Sequence, residues 1–354
     1  MRTGAEGTAV RGTGSADRSS ALVRILAVIL LLSCPAFAAE GTPPGGGAGT
    51  GAEKTLAPLP AEPTSAAVKA MMLDTARAGK RIVAVGDHGI VLLSDTDGWE
   101  FRQARSVPVR STLTAVWFVD EKTGWAVGHW GVVLRTDDGG ESWTIQRVDS
   151  SVDQPLFSVC FKDKDRGWAV GLWSLMITTN DGGRSWNPLR LPPPPGGGRG
   201  DRNLFKIFAN RYGSLFIAGE QGTVLRSYDG ERWTYLSTGY KGSFWAGISL
   251  SNGTILVGGL RGTIYRSADN GSSWRESKTE LKSSITDFYE AGGKVVAVGL
   301  DGVILESGDQ GISFQGSQRD DRLPYTAVAV SSAGRPVKFS KQGLVEDPPA
   351  GPSK

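Results

Sequence analysis

Chemistry in this chain has to be built largely without histidine and cysteine, since its 354 residues contain only two of each. Two cysteines cannot make a disulfide framework or a Cys-rich zinc site, and two histidines leave little for a metal centre or a His-based triad. What recurs instead is an aspartate in a fixed setting. It is seen in Thr136-Asp137-Asp138-Gly139-Gly140-Glu141-Ser142-Trp143, from Thr179 to Trp186 around Asp181, from Ser267 to Trp274 around Asp269, and from Ser307 to Phe314 around Asp309. A shorter copy holds Ser227, Asp229 and Trp233, and a degenerate one holds Ser94, Asp97 and Phe101. A carboxylate so placed accepts N–H bonds inside a turn, glycine supplies positive φ, and the aromatic ring packs outward from it. Asp138, Asp181, Asp229, Asp269 and Asp309, with Trp143, Trp186, Trp233 and Trp274, are therefore expected to hold turns, and no catalytic residue, metal ligand or cofactor site is assigned.

The elements that position these turns repeat with them. LTAVWFVDEKTGWAVGHWGVVLRTDDGGESWTI (113 to 145) recurs from 156, 204, 244 and 285, with an earlier copy at 81 to 101 and a shortened one at the C-terminus. Gly86, Gly128, Gly171, Gly219, Gly259 and Gly299 keep register, with Ser340 in the seventh place. Steps of this size suit a four-stranded propeller blade. Within one copy, Thr114 to Phe118, Gly124 to Val127, Val132 to Arg135 and Trp143 to Gln146 read as strands A to D, separated by turn residues. The expected fold is all-β: a seven-bladed β-propeller of four-stranded antiparallel blades. Because the last copy lacks a D strand, N-terminal residues around Lys54 to Pro60 are expected to supply it and close the ring.

Composition agrees with this reading. The 49 glycines, with 21% charged and 39% hydrophobic residues, are too apolar for disorder and too rich in turns for a helical bundle. At the N-terminus, Arg24, the apolar run Ile25 to Ser33, Pro35 and Ala36-Phe37-Ala38 read as a secretory signal cut before Ala39. A lipoprotein signal with Cys34 lipidated is the competing reading. The expected organisation is a signal at 1–38, a Gly/Pro-rich spacer at 39–53, the propeller at 54–348 and a tail at 349–354, with the product exported to the periplasm or secreted. Removing 1–38 leaves a net charge of +1 and Cys160 as the single thiol. The bulk charge carries no nucleic-acid footprint, and a monomer without a disulfide is expected.

The repeated turn is the Asp-box, also found in sialidases and other glycoside hydrolases. The whole-repeat wording GWAVGxxGxVLxTxDGGxSW, strongest in blades 2 and 3, resembles the photosystem II stability/assembly-factor family, and the resemblance runs from about Ala66 to Glu346. It implies a seven-bladed propeller of the lumen or periplasm that binds a membrane-protein partner without catalysis or cofactor. A sialidase-like glycoside hydrolase is the alternative. That chemistry needs an arginine cluster, a nucleophile and an acid/base carboxylate at the channel mouth. The inner-strand segments AVWF (115–118), FSVC (157–160), FKIF (205–208) and WAGI (245–248) are apolar, and Asp287 is the one carboxylate read on an inner strand, so a facing pair is not expected.

For a binding module, geometry points to one face. B-to-C tips and D-to-A connections share an end of the propeller, and the Asp-boxes occupy the other. The D-to-A connections hold 11 Lys/Arg against 7 Asp/Glu, a tilt suited to an acidic or membrane-associated protein partner. The tips His129-Trp130 and Leu172-Trp173 place two tryptophans side by side, and a tryptophan exposed at a tip is a hot-spot candidate. The residues expected to bind a partner are His129, Trp130, Trp173, Arg190, Arg199, Arg202, Arg261, Arg105 and Arg110.

Overall fold

The structure, a computed structural model, describes residues 58–197 and 200–346. The signal and spacer segments, Cys34, Arg199 and the tail beyond Glu346 lie outside the described residues, so the expected segment boundaries fall outside them too.

Seven antiparallel sheets follow one another along the chain. Blade 1 is β1 (Met72–Ala78), β2 (Arg81–Gly86), β3 (Val91–Ser94) and β4 (Arg102–Gln103); blade 2 is β5 (Leu113–Phe118), β6 (Gly124–Gly128), β7 (Val133–Thr136) and β8 (Thr144–Arg147). Blade 3 is β9 (Leu156–Phe161), β10 (Gly167–Gly171), β11 (Met176–Thr179) and β12 (Asn187–Pro188); blade 4 is β13 (Leu204–Ala209), β14 (Leu215–Gly219), β15 (Val224–Ser227) and β16 (Thr234–Leu236). Blade 5 is β17 (Phe244–Ser249), β18 (Ile255–Gly259), β19 (Ile264–Ser267) and β20 (Arg275–Glu276). Blade 6 adds a short parallel strand, β21 (Lys278–Thr279), outside β22 (Ile285–Ala291), β23 (Lys294–Gly299), β24 (Val303–Ser307) and β25 (Ser313–Gln318). Blade 7 is β26 (Tyr325–Val330), β27 (Pro336–Ser340) and β28 (Gly343–Val345).

The register glycines follow from a bulge. In every blade the pairing of the two inner strands shifts between the first and third residues of the innermost strand. The shift presses a carbonyl just before that strand onto the end of the second. A Cβ on Gly128 would lie 2.1 Å from the Thr112 carbonyl oxygen, and one on Gly259 2.0 Å from that of Ser243. The same carbonyls accept the next amide, His129 N–H at 3.0 Å and Leu260 N–H at 3.1 Å, which fixes the tip to the inner strand. Glycine is required because the bond that orients each tip leaves no room for a side chain.

Each C-to-D turn satisfies itself and then serves its neighbour. In blade 2, Asp138 accepts the Ser142 amide at 2.9 Å and the Thr136 hydroxyl at 2.8 Å, while Thr136 Oγ1 accepts the Gly140 amide at 2.9 Å. Blades 3, 5 and 6 repeat the pattern with Asp181, Asp269 and Asp309. The shorter turn of blade 4 holds Asp229 against the amides of Glu231 and Arg232. The carbonyls of these turns face the preceding blade, where they accept Arg81 Nη1 at Gly139, Trp125 Nε1 and Arg135 Nη1 at Gly182, and Trp168 Nε1 at Gly230. Trp125 also stacks on Phe161 with centroids 3.5 Å apart. The repeated aspartate thus orders a turn whose backbone staples adjacent blades.

Among the described residues blade 7 has three strands; of the segment expected to complete it, residues 54–57 lie outside the described residues and residues 58–60 form no strand. The following residues run along blade 1, where the Ala61 amide donates to the Val107 carbonyl at 3.0 Å and the Thr64 amide to Gln103 Oε1 at 3.0 Å. Ala67 is buried with Ile82, Ala327 and Phe339 between blades 1 and 7, and Val68 packs against the same cluster. Polar contacts complete the seam. Asp97, in the degenerate turn of blade 1, accepts the Ser332 amide at 2.8 Å and hydroxyl at 2.6 Å and pairs with Arg77 at 2.7 Å. Arg77 Nη2 also donates to the Val330 carbonyl at 2.7 Å. Here the turn aspartate is spent across the blade boundary instead of within its own turn.

Candidate functional site

The tips and the D-to-A connections meet at one end of the ring, as the bonds from tip amides to the residues before each inner strand show. At the centre of the tips of blades 1 to 6 a residue takes the left-handed conformation: His88, Trp130, Trp173, Gln221, Arg261 and Asp301, with φ between 54° and 59°. For a side chain larger than Asn or Gly this backbone costs about 1–2 kcal/mol, and it turns the side chain outward. Tryptophan at two of these positions is 37% exposed at Trp130 and 54% at Trp173.

Trp130 stands on a dyad. Asp153, from the connection between blades 2 and 3, accepts the Trp130 amide on Oδ1 at 2.8 Å and contacts His129 Nδ1 through Oδ2 at 2.9 Å. Burial acts to raise the Asp153 pKa, but the contacts with His129 and the Trp130 amide outweigh it, and the carboxyl is held below its ordinary value. His129 is therefore not a solvent-facing tip residue as the sequence suggested: it is buried, with Nε2 reaching no partner among the described residues. Its reach to the tip is indirect, through Asp153. Trp173 is held similarly, its amide donating to Asn203 Oδ1 at 3.0 Å while the Ser174 amide donates to the Arg202 carbonyl at 2.8 Å. Between the two tryptophans runs the 149–155 connection. The Asp149 amide donates to the Trp130 carbonyl at 2.8 Å, Gln154 Nε2 donates to the Leu172 carbonyl at 2.9 Å, and Val152 is exposed. Trp130 and Trp173 on the two tips and Val152 on the connection between them are each exposed, and Val152 was not singled out in the sequence.

The basic residues divide. Arg190 and Arg261 are exposed, and Arg202 is half-buried with Nη1 donating to Thr223 Oγ1 at 3.0 Å. Arg110 lies on this end but is paired with Glu62 at 2.5 Å. Arg105 does not belong to it. The chain leaves blade 1 after the two residues of β4 and runs past the C-to-D turn of blade 2, so Arg105 sits 3.7 Å from Asp138.

A second cluster, which the sequence reading missed, lies on the propeller axis. Asp74 of β1, Lys206 of β13 and Asp287 of β22 converge from blades 1, 4 and 6, with Lys206 Nζ 3.4 Å from Asp74 Oδ1. Asp74 is a second inner-strand carboxylate, so the expectation that Asp287 stood alone is corrected. Each carboxylate accepts the inner-strand amide of the next blade at 3.0 Å, Asp74 from Val116 and Asp287 from Val328. Burial raises the Asp287 pKa to about 6, against the pull of Lys206 and with the push of Asp74. Burial works to lower the Lys206 pKa, but the two carboxylates prevail and raise it. A cavity of about 230 Å³ borders this cluster, walled by Arg77, Trp117 and Phe118 among others. Alternation in β1 and β13 leaves one charged residue among apolar ones, a signal visible once the strands are set in register.

Fold and repeat define a class, the seven-bladed propeller in which backbone turns staple blade to blade. The family model described as Photosynthesis system II assembly factor YCF48 matches residues 93–200, under a third of the chain, which hold blades 2 and 3. Two solved structures are similar over most of the chain. One, described as YCF48 bound to D1 peptide, has a TM-score of 0.62 and 16% identity, over 81% of this chain and 97% of that one. The other, YCF48 from Cyanidioschyzon merolae, has a TM-score of 0.63 and 16% identity, over 78% of this chain and 95% of that one. No curated protein matches the chain.

Proposed function

We propose that this protein is an exported, non-catalytic propeller scaffold that binds a membrane-protein or envelope partner through its tip face. The observation that carries the reading is the family match across blades 2 and 3, the blades whose tips and connection expose Trp130, Val152 and Trp173. A solved structure of the same fold is described as YCF48 bound to D1 peptide. Trp130 and Trp173 are the anchors of the proposed site, Arg190, Arg202 and Arg261 its basic flank, and His129 with Asp153 its support. Arg199, outside the described residues, belongs to the same connection as Arg190 and Arg202. The axial carboxylates support a non-catalytic reading, because each is engaged by a backbone amide of the neighbouring blade.

Capture from detergent-solubilised membranes tests this. The wild-type chain should retain an envelope or membrane protein, and Trp130→Ala with Trp173→Ala should reduce retention about tenfold, the scale of a hot-spot loss, with unchanged thermal unfolding. Recovery of no such protein, or equal recovery by the variant, would count against the site.

A further inference from the structure

The distribution of charge and apolar surface over the tip face goes beyond a single peptide groove. From blade 3 to blade 7 its tips and connections expose Arg190, Lys241, Arg261, Lys282, Arg322 and Lys341, none of which reaches a carboxylate among the described residues. Of the carboxylates on the same arc, Asp321 is neutralised by Arg319, whereas Glu220 bonds to Asn203 and Asp301 to the Ser283 hydroxyl, neutral groups that leave their charge in place. Asp201, Glu280 and Asp320 are exposed there too, so the cations of the arc outnumber its carboxylates by a small margin. At one side of this arc, on the tips of blades 2 and 3, two exposed tryptophans stand on left-handed backbone.

Cations spread over five blades, together with tryptophans at the same end of the ring, fit a planar anionic surface, which can meet all of them at once. A bound peptide would engage one sector. Tryptophan favours the interface between water and lipid, where its amphipathic ring sits among headgroups. Lysine and arginine are drawn to anionic lipid over about a Debye length. We propose that the tip face docks on the surface of an anionic bilayer, with Trp130 and Trp173 seated at headgroup level and the arc of cations lying on the lipid phosphates. This shares its face with the proposed partner site but requires no protein partner.

Protein-free vesicles separate the two. Residues 55–354, which form a compact unit of their own, are sedimented with phosphatidylcholine vesicles carrying about 30% phosphatidylglycerol, and with pure phosphatidylcholine. Binding is expected to the anionic vesicles, to weaken with salt, and to fall about tenfold in Trp130→Ala/Trp173→Ala and several-fold in Arg190→Glu/Arg261→Glu. Quenching of tryptophan fluorescence by brominated lipid should be lost with the first pair. Absence of sedimentation, equal binding to neutral vesicles, or full binding by the tryptophan variant would each overturn the inference. Capture of a membrane protein from detergent without vesicle binding would overturn it while leaving the proposed function standing.

Discussion

Replacing Lys206 with methionine tests whether the propeller axis is held by buried charge. The ammonium lies 3.4 Å from Asp74 and pulls against the burial that raises the pKa of Asp287, so its loss leaves two inner-strand carboxylates without their cation. Removing one partner of a fully buried ion pair costs about 3–5 kcal/mol; because a quarter of the Lys206 side chain is exposed, the expected cost of Lys206→Met is about 2–3 kcal/mol. The cost should depend on pH. Asp287 binds its proton more tightly folded, at about 6, than unfolded, at about 3.9. Its contribution to stability is therefore complete below the unfolded value and is lost as pH rises through 6. In Lys206→Met that pKa rises further, so the variant should recover much of its deficit at pH 5 and little at pH 8. Asp287→Asn should instead stabilise the protein at pH 8 and have little effect at pH 4. Denaturant unfolding at several pH values measures all of these. A Lys206→Met cost under about 1 kcal/mol, or one equal at pH 5 and pH 8, would refute a desolvated axial triad.

Gly128→Ala should cost more than about 3 kcal/mol, because the new methyl would meet the Thr112 carbonyl oxygen at 2.1 Å and break the bond that seats the blade 2 tip; a denaturation midpoint near wild type would contradict the bulge argument. Asp97→Ala should expose amides of blades 1 and 7 to hydrogen exchange before those of blades 3 to 5, since Asp97 joins Arg77 and Ser332 across the closing seam; uniform protection would show that apolar packing closes the ring alone. Cys160, whose thiol burial raises to about 12, should ignore a thiol reagent in the native protein and react only on unfolding; prompt labelling at neutral pH would place it elsewhere.

Strands, blade number and turn chemistry were legible because they are local and repeated. GWAVG followed by a tip and then Thr-x-Asp-x-Gly spells out strand, bulge and turn within about twenty residues, and copies reinforce one another. The tip tryptophans were legible for the same reason, since Trp130 and Trp173 occupy one place in successive repeats. His129 was misjudged because its burial depends on Asp153, in a connection that varies from blade to blade. Arg105 was misplaced because β4 has only two residues, and the chain leaves the sheet early. Closure was hidden as well: the degenerate turn around Asp97 reads as a decayed copy, yet its aspartate bonds to Ser332 from the far end of the sequence.

The sequence by itself determined the period, the strands within it and the turns that join them, because strand alternation, glycine placement and aspartate capping act over a few residues. Only the tertiary structure decided what meets across the ring. Asp74, Lys206 and Asp287 are far apart in the chain and influence one another because the innermost strands of blades 1, 4 and 6 face a common axis. Why the register glycines must be glycine was likewise settled by the fold, since the oxygen that forbids a Cβ belongs to the chain entering the same blade. A repeat encodes its own geometry, but closing it into a circle creates neighbours that no single copy contains.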